Sequence, residues 1–174
     1  VAQLYKAEAL YSYLGDKSFQ PLTTYWMEQD MVARSEFRDG NVPAGFENLR
    51  ELQETLIVLP QGVSKVYYRG DTAAYQRELL RYCAEGKNER FGIIELAVGV
   101  DVTPEFKRAV AEVKESEWRP LDRVVDGKHV KTDQQWAEVC FVPNWVAYRK
   151  DGPEYRFLAM REPLGQRELP GLES

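Results

Sequence analysis

The stretch VSKVYYRGDTAA, residues 63–74, decides how this chain is read. Its first half is rich in β-branched and aromatic residues, as strands are. It ends in Arg69-Gly70-Asp71 and passes directly into a helical pattern. One carboxylate, that of Asp71, is thereby placed at the carboxyl end of a strand expected to lie inside a sheet. In open α/β sheets that edge is where ligands gather. A lone acid there points to a divalent cation whose other ligands come from elsewhere.

Working towards the N-terminus, residues 43–59 carry Pro43 and then Phe46, Leu49, Leu52, Leu56 and Leu59 on one helical face, with Pro60 and Gly62 as the stop. Before them, SFQPLTTYWMEQ (residues 18–29) and residues 31–37 read as two strands close enough to pair as a hairpin. Working towards the C-terminus, a helix is expected from about Thr72, with Tyr75, Leu79, Tyr82 and Cys83 on its buried stripe and Gly86 at its end. FGIIELAVGV (residues 91–100) is mostly apolar and reads as a strand covered on both faces. Thr103-Pro104 opens a further helix with Thr as N-cap and Pro in the first turn, and Phe106, Val110 and Val113 line its inner side.

The pattern then changes. Residues 121–133 are charged and read as an outward loop, while residues 135–142, 144–148 and 155–160 read as strands with a Lys150–Pro153 turn before the last. The expected order is two strands, helix, strand, helix, strand, helix, then a β-rich segment. This is an α/β chain divided into a core (residues 1–117), a β-rich insertion (118–162) and a loose tail (163–174).

Composition bounds the function. The 174 residues suit one domain with an insertion, and 44% hydrophobic with 29% charged residues is an ordinary globular balance. A net charge of −5 argues against a surface that is basic throughout, which wholesale phosphate neutralisation would need. Cys83 and Cys140 form no CxxC pair, consistent with a reducing cytoplasm. No apolar run reaches membrane-spanning length, and no signal-peptide pattern opens the chain. It begins at Val1 rather than Met, so a fragment is expected.

Several residues have an ordinary structural explanation. Asp71 is a good helix N-cap, and Arg69-Gly70-Asp71 as an adhesion tripeptide would need an exposed loop in a secreted protein. Asp101 supports the next helix start, and Asp39-Gly40 suits a turn, with Arg38 beside it as a candidate DNA contact. His129 is the only histidine, which leaves no partner for a nucleophile system. Trp118, Trp136 and Trp145 could stack bases, but their spacing with aliphatics favours packing. Lys107, Arg108 and Lys114 read as a solvated helix face.

EFRDGNVPAG (36–45), YYRGDTAAYQRELLRYC (67–83), GVDVTPEFKRAVAEV (99–113), WAEVCFVPNW (136–145) and EYRFLAMREPL (154–164), in this order, resemble DDE transposases of bacterial insertion sequences, in particular those with the group 1 DDE domain. The resemblance implies a ribonuclease H-like mixed sheet with flanking helices and a β-rich insertion. It implies that Asp71 is the second of three catalytic acids and a metal ligand. The first Asp would lie upstream of Val1, and the Glu on a helix that follows the β-rich segment; Glu154, Glu162 and Glu168 are acids in this region without a convincing helix. The cofactor implied is Mg²⁺, or Mn²⁺ in its place. The implied partners are DNA, as element ends and target, and further copies of the protein, in the bacterial cytoplasm and without a membrane. With one acid of three, the chain is expected to be inactive alone. The alternatives are a non-catalytic remnant or interaction module on the same fold, and another metal nuclease on that fold.

Overall fold

The computed structural model describes residues 9–125, 127–144 and 155–162, and its contacts divide the chain into two units, Val1–Asp101 and Val102–Ser174.

In the first unit, β1 (Leu22–Trp26) and β2 (Met31–Glu36) pair antiparallel, from Leu22 opposite Glu36 to Trp26 opposite Met31. The expected hairpin is present. Its turn is a short 3-10 segment closed by Asp30 in the left-handed region, at φ 51°. Helix α1 (Asn48–Val58) follows, and Leu52 and Leu56 are its buried apolar residues. Phe46 lies before the helix and is exposed rather than on its inner face.

Strand β3 (Tyr67–Gly70) leads through a 3-10 turn, Thr72–Ala74, to α2 (Arg77–Ala84). The single helix expected from Thr72 is therefore interrupted at Tyr75 and Gln76, where the backbone leaves the helical region. Strand β4 (Glu95–Val98) runs parallel to β3, with Tyr67 opposite Glu95 and Gly70 opposite Val98. Two parallel strands with a helix between them form a βαβ unit. β4 is shorter than its apolar run suggested. It is covered on one face only: Leu96 and Val98 are half-buried, while Glu95 and Ala97 are exposed.

One apolar cluster binds these parts: Leu52 and Leu56 of α1, Leu79, Tyr82 and Cys83 of α2, and Ile94, with Val66, Tyr68 and Leu96 packed against it. Gly70 is needed where β3 meets the following turn, because a Cβ there would lie 2.5 Å from the Cβ of Ala74.

In the second unit, α3 (Pro104–Ala111) starts as expected, the Thr103 hydroxyl accepting from the Phe106 N–H at 3.2 Å. Strands β5 (Arg119–Val125), β6 (Lys128–Val139) and β7 (Phe157–Arg161) form an antiparallel sheet in the order β5-β6-β7. Residues 121–133, expected to be a loop, are mostly the two arms of the β5–β6 hairpin. Their side chains are largely exposed, so charge does not oppose strand formation there. Phe106, Phe141 and Phe157 pack edge to face, with ring centres 5.0 and 5.2 Å apart for the two pairs made by Phe141.

What the structure shows is a mixed α/β chain of three helices and, among the described residues, three small sheets rather than one continuous sheet. No described helix is long and apolar enough to cross a membrane. The expected strand at 144–148, beyond Asn144, the Lys150–Pro153 turn and the tail after Glu162 lie outside the described residues.

Candidate functional site

Asp71 follows the last residue of β3 and is exposed. Its Oδ1 accepts from the Ala73 N–H at 3.0 Å, so the carboxylate caps the 3-10 turn. The turn is pinned from the side. Asn48 Nδ2, at the start of α1, donates to the Ala73 carbonyl at 3.0 Å, and Gln76 Nε2 donates to the same carbonyl and to that of Gly45. Tyr68, two positions inside the end of β3, has its hydroxyl pKa pushed up to about 12, first by burial and then by the charges of Cys83 and Asp71. The acid foreseen from sequence thus stands at a fixed place on the sheet edge.

Asp71 is among the residues lining a cleft of about 1520 Å³ within the first unit. It is lined by all of β1, by β3 with the residues just before it, and by Asn48, Glu51, Leu52 and Thr55 of α1.

The acids that come together are others. Oxygens of Glu36, Glu51 and Glu54 lie within 4.8 Å of one another. Two arginines already occupy this group. Arg34 Nε meets Glu51 at 2.8 Å and its guanidinium also pairs with Glu54, while Arg50 meets Glu36 at 2.5 Å, Glu47 at 2.8 Å and Glu54 at 3.1 Å. The hydrogen bond from Arg50 holds the Glu36 carboxyl below its usual range, and the acids raise both arginines. Glu51 is buried and its carboxylate is neutralised by Arg34. The arrangement is an ion-pair bridge between β2 and α1. The sequence carried a signal for it that was not used: Arg34 and Glu36 share a strand face, and Glu47, Arg50 and Glu54 follow helical spacing.

Arg38 is corrected from a candidate DNA contact to a structural clamp. It is buried, and its guanidinium donates to the carbonyls of Gln20 at 3.2 Å and Phe46 at 2.8 Å. Asp101 is exposed, as are Lys107, Arg108, Lys114 and His129. Trp118 and Trp136 are half-buried rather than core, and each ring lies under a guanidinium, of Arg161 at 4.2 Å and Arg119 at 5.4 Å. Trp145, Glu154 and Glu168 lie outside the described residues, and Glu162 is the last residue described.

No protein-family model, curated protein or solved structure matches this chain.

Proposed function

We propose that this chain is a catalytic-domain fragment of a DDE transposase, its first unit a ribonuclease H-like core, and that Asp71 is one of the metal ligands of the parent enzyme. One observation carries the reading: Asp71 stands exposed at the carboxyl end of β3 in a parallel βαβ unit, among the residues that line a cleft. In sheets of this kind that position collects phosphates and cations.

The chemistry follows from what one carboxylate can do. When bound, Mg²⁺ or Mn²⁺ supplies positive charge to the attacking and leaving oxygens of an in-line displacement at phosphorus. Mg²⁺ commonly takes one or two protein carboxylates and completes its shell with water and substrate phosphate. Asp71 fits as one such ligand. The Ala73 N–H fixes one of its oxygens and so sets the direction of the other. DNA at element ends and target, assembly with further copies, and a bacterial cytoplasmic setting belong to the same proposal. One acid does not make the full site, so the chain alone is expected to leave DNA uncut in Mg²⁺.

The non-catalytic interaction module remains a second reading for a specific reason: the carboxylates that the described residues gather do not include Asp71. Mn²⁺ relaxation of backbone amide signals separates the two. The transposase reading expects broadening centred on residues 70–73 that disappears in Asp71→Asn. Broadening centred on Glu36, Glu51 and Glu54, or none in the millimolar range, would remove the metal role from Asp71.

A further inference from the structure

The entrance to α1 gathers three local costs in one place. Glu47, its N-cap, is a non-glycine residue in the left-handed region, at φ 56° and ψ 26°. A residue held there persists only when its surroundings over-determine it. The helix start has no side-chain cap, although Asn, a favoured capping residue, follows at once. Asn48 itself is only 7% exposed, and its Oδ1 has no hydrogen-bond partner among the described residues. Buried polar atoms are ordinarily satisfied, so the exception directs attention to the other end of the same amide.

That end holds the turn after β3. Asn48 Nδ2 donates to the Ala73 carbonyl at 3.0 Å, and the half-buried Gln76 donates to the same carbonyl at 3.1 Å. The N–H of this same residue, Ala73, is the one that fixes Asp71 Oδ1. Ala73 is therefore held by its carbonyl and holds the carboxylate by its amide. The backbone before α1 comes close enough to require a glycine: a Cβ on Gly45 would lie 3.1 Å from the Ala73 carbonyl oxygen and 2.5 Å from Gln76 Nε2. The end of β4 also closes on the turn. The Gly99 N–H donates to the Gly70 carbonyl at 3.2 Å, and a Cβ on Gly99 would lie 3.1 Å from the Thr72 nitrogen and 3.3 Å from the Asp71 carbonyl carbon. Two segments distant in sequence are thus brought against the residues that carry Asp71.

We propose that Asn48 is a positioning residue for Asp71: by holding the Ala73 carbonyl it fixes the Ala73 N–H, and with it the direction in which the carboxylate faces. Gln76 assists from the other side of the interrupted helix. A contact that served stability alone would not call for a buried Asn with an idle oxygen. An apolar side chain of similar size would fill the space without an orphaned atom. The purpose of the grip rests on the reading of Asp71 as a cation ligand. Groups that orient a metal ligand commonly change metal affinity by about ten- to a hundredfold when removed.

The test is Asn48→Leu in the full chain, which removes the donor and the idle oxygen together. Three quantities are followed: the melting temperature, hydrogen exchange at the Ala73 amide with the amides of α2 as control, and the Mn²⁺ concentration that half-broadens residues 70–73. The expected variant melts no lower than the parent. Its Ala73 amide exchanges faster, approaching the rate in Asp71→Ala, while α2 is unchanged. Its Mn²⁺ requirement rises about tenfold or more. Gln76→Leu should give the same pattern in weaker form, and it carries the test if Asn48→Leu does not fold. Ala73 exchange equal to the parent's overturns the inference whatever Mn²⁺ does. A lower melting temperature, or faster exchange throughout α2 alongside Ala73, shows Asn48 holding the fold rather than the carboxylate and overturns it too. An unchanged Mn²⁺ requirement with Ala73 released also overturns it. If the parent itself shows no broadening at residues 70–73, the metal reading alone fails, and faster Ala73 exchange in Asn48→Leu still supports Asn48 as the residue that orients the carboxylate.

Discussion

The two strand pairs of the first unit are joined to the same helix by opposite means. β1–β2 is tied to α1 by charge: Arg34 reaches from β2 to Glu51 and Glu54, and Arg50 reaches from α1 back to Glu36. β3–β4 is tied by burial, through a cluster in which Leu79 and Cys83 are fully buried and Ile94 is 1% exposed. The charged side lies where solvent and salt act on it, and the apolar side does not. It follows that acid, salt and point mutations should loosen the hairpin and the βαβ unit separately.

The strongest break is in the apolar half. Leu79→Ala removes a fully buried side chain from the centre of the cluster, and such changes cost about 2–5 kcal/mol. Urea unfolding should show a large fall in midpoint. Cys83 offers a local readout: burial pushes its thiol up to about 11, so it should be silent to thiol reagents until α2 opens, while the exposed Cys140 reacts at once. Leu79→Ala should bring Cys83 into reaction under conditions where the parent protein protects it. A Cys83 that reacts as fast as Cys140 in the parent chain would show that no such core exists.

The next break is in the charged half. Arg34→Met leaves Glu51, whose side chain is only 3% exposed, without its partner. An unpaired buried carboxylate is more damaging than the loss of the pair as a unit. The single variant should speed amide exchange in β1 and β2, with little change in α2 and β4. Adding Glu51→Gln should recover most of the loss. A double variant no better than the single one would mean that Arg34 acts by packing rather than charge.

Acid sharpens the same contrast. Glu36 titrates below its ordinary value of 4.5 because Arg50 hydrogen-bonds its ionised form. A carboxyl depressed on folding adds stability above its unfolded pKa, and that contribution disappears as pH falls through the folded pKa. The hairpin signals should therefore loosen progressively as pH falls below the ordinary carboxyl value of 4.5, while β3–β4 persists. Glu85, held at about 2 by Arg81 and Lys87, makes the end of α2 respond at lower pH than Glu36. Loss of both halves at one pH midpoint would contradict the division.

What the sequence disclosed, and what it hid, divides along similar lines. The β1–β2 hairpin, α1, the Thr103 cap and the strand-to-turn placement of Asp71 were legible because each depends on neighbours a few residues apart. The break at Tyr75 and Gln76 was not, because Gln76 is drawn out of helical geometry by the Gly45 and Ala73 carbonyls, the first of them far away in sequence. Arg38 was misread for the same reason: its partners, the carbonyls of Gln20 and Phe46, are backbone atoms that leave no mark in the pattern of side chains. The β5–β6 hairpin was obscured by its charge, which an exposed sheet tolerates.

The smallest expected effect bears on the residue that decided the reading. Asp71→Ala removes the acceptor for the Ala73 N–H. Loss of a capping side chain costs about 1 kcal/mol at an α-helix, and less is expected here because the capped element is one 3-10 turn also held by Asn48 and Gln76. Asp71→Asn keeps an oxygen that can accept the same hydrogen bond but removes the charge. If Asp71 served only as a cap, the Ala variant would lose a little stability, the Asn variant would lose almost none, and neither would alter the response of the chain to Mn²⁺. If it also serves as a cation ligand, the Asn variant keeps the parent's melting temperature and loses the Mn²⁺ response. The pair of variants thus separates the structural use of this carboxylate from its chemical one, and a stable Asn variant with undiminished Mn²⁺ broadening at residues 70–73 would leave the cap as its whole role.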